Sequence, residues 1–319
     1  MKPLSVSTRL SILLFLAVIF GATMIALSIK NKPVGKAYSY DSDGDKKYEQ
    51  SYDVQAGGNL IVESDVGNIT ISSVEEDKVS VTVVARGSER FINRFTVESV
   101  QEGADIKVLG RVKQSHFQFF NSGWTDVLFD IKVPKNFNLN LNTAGGNIEI
   151  ENVKGKIDGE TSGGNIELMD IESDLKMSTS GGNVKLRNCV GSYHVETSGG
   201  NMYADKVVGP INFETSGGNI GIADSDGKIY ASTSGGNIDI SLADNKGIDL
   251  STSGGNINVK IPKTISADVK AEASGGDVSC ELEFSGKIKD GKMKAKINGG
   301  GNQINLETSG GDIVITPND

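Results

Sequence analysis

Five copies of Thr-Ser-Gly-Gly-Asn begin at Thr161, Thr179, Thr197, Thr215 and Thr233, each 18 residues after the last. Thr143-Ala-Gly-Gly-Asn147 stands one period earlier, and Thr252-Ser-Gly-Gly-Asn256 follows after 19 residues. Degenerate copies close the series at Ala273–Asp277, Gly299–Asn302 and Thr308–Asp312. A fixed period of this kind means that one short unit is stacked many times. Such a unit cannot bury an apolar face alone, so neighbours must complete its core.

The apolar phase within a unit says what the unit is made of. The first position after each Asn reads Ile148, Ile166, Val184, Met202, Ile220, Ile238 and Ile257. The third reads Ile150, Leu168, Leu186, Ala204, Ile222, Ile240 and Val259, and the tenth begins Ile157, Leu175, Tyr193, Ile211 and Ile229. Residues between them are mostly polar, as at Glu149, Lys185, Asp239 and Lys176. Alternation with period two means strands. Each unit therefore holds two short strands, and equivalent positions lie over one another at the ~4.8 Å spacing of paired strands. The expected fold is an all-β, right-handed parallel β-helix with coils of about 18 residues, its hand following the general rule for parallel crossovers. An antiparallel hairpin array is the rival, since Gly-Gly also suits a hairpin turn. Hairpins, however, do not require the same register every 18 residues.

The Gly-Gly pair is expected at a corner with positive φ, so that Gly199→Val costs on the order of 1–3 kcal/mol. The Asn that follows tolerates left-handed backbone, and stacked copies are expected to form an amide ladder. A second corner falls near Gly155, Gly191, Gly209 and Gly227, with Ser173 breaking the pattern once.

Outside the repeat the chain changes character. Residues 1–9 form a short tail, and the run Leu10 to Ile29 contains no charged residue. Twenty uncharged, mostly apolar residues can cross a bilayer of ~30 Å hydrocarbon as a helix. Residues 10–29 are read as a transmembrane anchor, with a cleaved signal segment as the alternative. Basic residues on both flanks nearly balance the positive-inside rule. The short tail and long polar remainder favour export of residues 30–319. Residues 30–50 form a polar linker whose Asp41–Asp45 cluster lacks the full pattern of a calcium loop. Residues 51–142 are read as an irregular β cap with early coils, and 143–316 as the regular solenoid. Lys alternates with apolar residues around Asp290-Gly291, which reads as a closing hairpin with a guarded edge.

Composition excludes several chemistries. Lys and Arg total 32 against 41 for Asp and Glu, a net charge of −9, so no nucleic-acid partner is expected. Two cysteines make no disulfide framework; Cys189 and Cys280 fall five coils apart, about 24 Å, and read as separate core thiols. His194 lies on an outward strand position, and His116 has no evident partner. Carboxylate columns Glu160, Glu196, Glu214 and Glu149, Glu151, Glu167 could serve a glycan-cleaving enzyme. Each column is interrupted, and Glu studs exposed strands for solubility. No catalytic, cofactor-binding or metal-ligating residue is assigned, and no cofactor is expected.

The stretch from Val54-Gln-Ala-Gly-Gly-Asn59 through Val66–Ile71 and Val133-Pro-Lys135 to the Thr-Ser-Gly-Gly-Asn-Ile series resembles the bacterial putative-adhesin family of β-strand-repeat proteins. The resemblance covers about residues 50–316. It implies a right-handed β-helix on an exported or membrane-tethered protein and carries no catalytic residue. The expected function is that of a non-enzymatic, membrane-anchored protein of the cell surface or periplasm, secreted if its leader is cleaved. Its partners would be the membrane, through residues 10–29, and cell-wall glycan or an envelope protein. A self-assembling envelope scaffold and a carbohydrate-active enzyme are the alternatives.

Overall fold

The computed structural model describes residues 38–40, 45–113 and 125–318. Residues 10–29, most of the Asp41–Asp45 cluster and His116 lie outside these residues. Among the described residues no helix is long and apolar enough to cross a membrane. One turn of helix, Glu89–Ile92, is capped by the Ser88 side chain, which accepts from the Phe91 N–H. The rest of the regular structure is β.

The alternating units build two 14-stranded sheets, each unit sending one strand to each sheet. In the first sheet Ile148 pairs with Ile166, Ile166 with Val184 and Val184 with Met202, all in parallel strands. In the second, Ile157, Leu175, Tyr193, Ile211 and Ile229 form a similar file. Same-phase residues therefore lie in register across the stack. These inward residues are buried, and their outward neighbours face solvent. A third, thin ladder runs along the second corner through Lys154, Glu172 and Val190, and again between Val208 and Asp226. The extra residue of the 19-residue unit also falls at this corner, where Asn245 is buried and donates to the carbonyls of Asn302 and Ser266.

The corner chemistry differs from the expectation. Neither Gly199 nor Gly200 has a positive φ. The second glycine of each pair is needed because coils touch there: a Cβ on Gly200 would lie 1.8 Å from the carbonyl oxygen of Gly182. The first glycine is open; a Cβ on Gly199 meets nothing closer than 3.9 Å. Left-handed backbone occurs instead five residues after the Asn, at Asn152, Asp170, Asn188, Lys206 and Asp224, with φ between 48° and 56°. Asn and Asp tolerate that region better than most residues.

The Asn ladder forms, but chiefly through the main chain. The N–H of Asn165 donates to Oδ1 of Asn147 at 2.8 Å, Asn183 to Asn165 at 2.8 Å, and Asn201 to Asn183 at 2.9 Å. The ladder begins at Asn68, which receives the N–H of Asn147. The buried Thr of each unit completes the corner. Thr179 Oγ1 donates to the Gly164 carbonyl of the previous coil at 2.8 Å and accepts the N–H of Gly182 at 3.3 Å. Thr, Gly and Asn thus satisfy backbone groups that a buried turn would otherwise leave unpaired.

Chain order and stacking order part company at both ends. Strand Asn138–Thr143 lies between Asn59–Ser64 and Ile157–Thr161. Strand Asn302–Thr308 enters between Ile248–Thr252 and Ala267–Ala273. Its companion Ile313–Pro317 enters between Ile257–Ile261 and Val278–Cys280. The last coil in sequence is therefore internal. This corrects the cysteine spacing: Cys189 and Cys280 are six coils apart, about 29 Å at the strand spacing. Cys280 is half-buried on the edge strand, not in the core.

The ends are covered by antiparallel pieces. Lys46–Asp53 pairs with Lys78–Gly87, and Phe95–Glu102 with Asp105–Val112. Lys46 is buried there, donating to the Phe95 carbonyl at 2.7 Å and lying over the Tyr38 ring. At the far end Ser285–Lys289 and Lys292–Ile297 form a hairpin across Asp290-Gly291.

Candidate functional site

Because inward positions are filled by packed side chains, recognition falls to the outer surface, and the outward positions of the two sheets are its broadest part. The second sheet carries the column that contains His194. Its Nε2 lies 2.7 Å from Glu196 Oε1, and Asn212 Nδ2 lies 2.8 Å from its Nδ1. Asn212 also donates to Glu214 Oε1 at 3.3 Å, while its own Oδ1 is buried without a partner. With Asn212 as donor, Nδ1 must accept, so the Nε2–H is the group that donates to Glu196 Oε1.

The carboxylate columns form pairs rather than one cluster. Glu196 stands beside Glu214 and Glu149 beside Glu167 in adjacent strands. Glu160 faces Ser178, and Glu151 faces Met169. Glu167 is neutralised by Lys185 at 3.3 Å. Elsewhere, Lys154 beside Glu172 holds that carboxyl below its usual range, and Lys292 does the same for Glu272. These are lateral charge pairs on exposed strands. Among the described residues no three His, Cys, Asp or Glu side chains come together to hold a metal. Burial raises the thiol pKa of both Cys189 and Cys280, which disfavours the reactive thiolate.

The first sheet carries the more distinctive feature. Tyr203 is 48% exposed, and its ring leans across the space over Gly221: a Cβ there would lie 2.9 Å from Tyr203 Cδ1. Ala223 beside it keeps the floor low. The result is an open groove of about 840 Å³ over the outer face. Arg187 and Asp205 flank one end in adjacent strands, and Lys260 stands at the other. Asp239 accepts from Asn258 Nδ2 at 2.7 Å. The side chains of Arg187, Asp205 and Lys260 have no ion-pair or hydrogen-bond partner among the described residues. Sequence reasoning missed this groove. Its signal was the break in an outward column, where Gly221 follows Tyr203 in the place of a larger residue.

A stack of parallel two-strand coils, closed at both ends by antiparallel pieces and bearing its polar chemistry outside, defines a capped β-solenoid. The chain belongs to the Toastrack DUF4097 family, which it matches over residues 58–316. Among solved structures it is similar to a putative cell adhesion protein from Clostridium sporogenes, at 17% identity, covering 85% of this chain and 100% of that one with a TM-score of 0.23. It is also similar to a putative adhesin from Bacteroides fragilis, at 17% identity, 84% and 96% coverage and a TM-score of 0.44. A third is a putative lipid binding protein from Parabacteroides distasonis, at 15% identity, 86% and 97% coverage and a TM-score of 0.30. No curated protein matches the chain.

Proposed function

We propose that this protein is a non-enzymatic, membrane-anchored extracytoplasmic binding protein. Residues 10–29 hold it at the membrane, and its outer sheet faces engage an envelope component, cell-wall glycan or protein. The observation that carries the reading is the division along the stacked strands: inward files are closed by packing, while outward files present exposed side chains over two broad faces. The uncharged run of residues 10–29 supports attachment and export. The adhesin names of similar solved structures agree with a binding role. Exposed carboxylates already held by neighbouring side chains support a non-catalytic surface. The first sheet ends on short edge strands, Tyr38–Tyr40 and Val278–Cys280, which argues against end-to-end assembly through that sheet.

The test combines fractionation with sedimentation. The full chain is expected in the membrane fraction, open to protease added from outside, and deletion of residues 10–29 is expected to release it. Detergent-purified chain is expected to co-sediment with isolated cell envelopes. A cytosolic, protease-protected chain that sediments with no envelope fraction would sink the reading.

A further inference from the structure

We propose that the Tyr203 groove on the first sheet binds an acidic polysaccharide lying along the solenoid axis. The inference rests on the binding role argued above and names its ligand class. Three features of the groove converge on a carboxylated sugar chain. First, the Tyr203 ring lies over Gly221 on a floor lowered by Ala223, so a broad apolar surface is open to a flat ligand. The apolar face of a sugar ring stacks on such a surface. Second, Arg187 is exposed and unpaired, and its planar fork matches a carboxylate in a two-point contact. Third, Asp205 accepts from no neighbour and can accept hydrogen bonds from sugar hydroxyls.

Spacing fits an extended polymer. Arg187 and Lys260 occupy one outward row, four inter-strand steps apart. At ~4.8 Å per step this separates two unpaired cations by about 19 Å, too far for one small ligand and suited to a chain of several residues. Charge agrees. The molecule carries −9 overall, yet in this groove, with Lys185 held by Glu167, Arg187 and Lys260 match Asp205 and Asp239 in number. An acidic polymer repelled elsewhere meets no net repulsion here and finds two unpaired cations, Arg187 and Lys260. A protein partner fits less well, because one exposed aromatic is a thin core for an interface that needs buried anchors. A peptide adding to a sheet needs a free edge, and this site is a face.

The experiment uses the full chain in detergent, with polygalacturonate as the acidic probe and dextran as the neutral one, followed by affinity electrophoresis. Polygalacturonate is expected to retard the wild type and dextran to leave it unretarded. Tyr203→Ala and Arg187→Gln are each expected to weaken retardation at least tenfold, with unchanged melting temperatures because both side chains point outward. Tyr230→Ala, on the opposite sheet, is expected to bind like the wild type. Added salt is expected to weaken binding by wild type more than by Arg187→Gln. Equal retardation by dextran, or full binding by Tyr203→Ala, overturns the proposal. If the wild type co-sediments with envelopes but ignores polygalacturonate, the groove assignment fails while the wider binding role stands. If polygalacturonate binds at Tyr203 but no envelope does, the groove assignment stands and the wider role fails.

Discussion

At the scale of single residues, the Gly-Gly pair separates two roles that one motif hides. Gly200 is where two coils meet, its missing Cβ leaving room for a carbonyl that would otherwise be 1.8 Å away. Gly200→Ala must push the coils apart and is expected to cost about 3 kcal/mol or more, the upper range for overpacking. Gly199→Ala meets no atom within 3.9 Å and is expected to change stability by less than about 1 kcal/mol. Urea melts of the two variants check the contrast, and equal losses would contradict the contact. The motif was legible as a corner, but which glycine mattered was not, because sequence shows backbone freedom more readily than a close approach between coils. The cap supplies a second residue-scale test. Burial pushes the Tyr52 phenol up to about 12, with its hydrogen bond to Ser99 acting the other way. The ordinary value is about 10, so between roughly pH 10 and 12 the folded state keeps a proton that the unfolded chain releases. Stability from this group is complete below pH 10 and falls as pH rises through that window. Tyr52→Phe lacks the titration. The stability gap between wild type and variant is therefore expected to shrink from about pH 10 to 12 in melts taken across the range. A gap that stays constant would show that the phenol titrates normally.

At the scale of strands, the period alone was enough to place Ile166 beside Val184 and Met202, since a one-residue slip would turn every inward side chain outward. The same logic could not order the ends. Ala273-Ser-Gly-Gly-Asp277 and Thr308-Ser-Gly-Gly-Asp312 both look like coils, and either could stack on Asn256. The structure chooses the later one: Asp312 N–H donates to Asn256 Oδ1, and Asp277 N–H to Asp312 Oδ1. A clue lay in the first letter of each copy. Thr308 keeps the hydroxyl that bonds back to the Gly255 carbonyl, whereas Ala273 has none and takes the outer place. This inverted order predicts how truncation fails. Removing residues 302–319 should empty a place inside the stack, leaving strands Ile248–Thr252 and Ala267–Ala273 without their shared partner. Limited proteolysis with mass spectrometry is expected to show rapid cutting between residues 262 and 297. Resistance equal to that of the full chain would mean that the outer coil re-docks directly, and that the inserted coil is dispensable.

At the scale of the whole stack, stability should behave as a sum over coils and the contacts between neighbours. Each interior coil offers the next coil the same inward files, the same Asn acceptor and the same Thr donor. A coil removed cleanly should therefore let its neighbours close on one another. Deleting residues 180–197 joins Thr179 to Ser198 and preserves the phase of every following strand, because the removed length is one period of 18. That variant is expected to fold, with a melting temperature lower by only a few degrees, of the order that one lost unit gives in a protein this size. Deleting residues 180–196 removes almost the same mass but shifts the register by one. Met202, Ala204 and the inward files beyond them would then have to face solvent, or the corner glycines would have to leave their contacts. This second variant is expected to be insoluble or to lose the cooperative transition seen by circular dichroism. The comparison is sharp because composition, caps and charge barely differ between the two. If both deletions melt alike, coils are not interchangeable units, and the files across the two sheets do not hold the stack together.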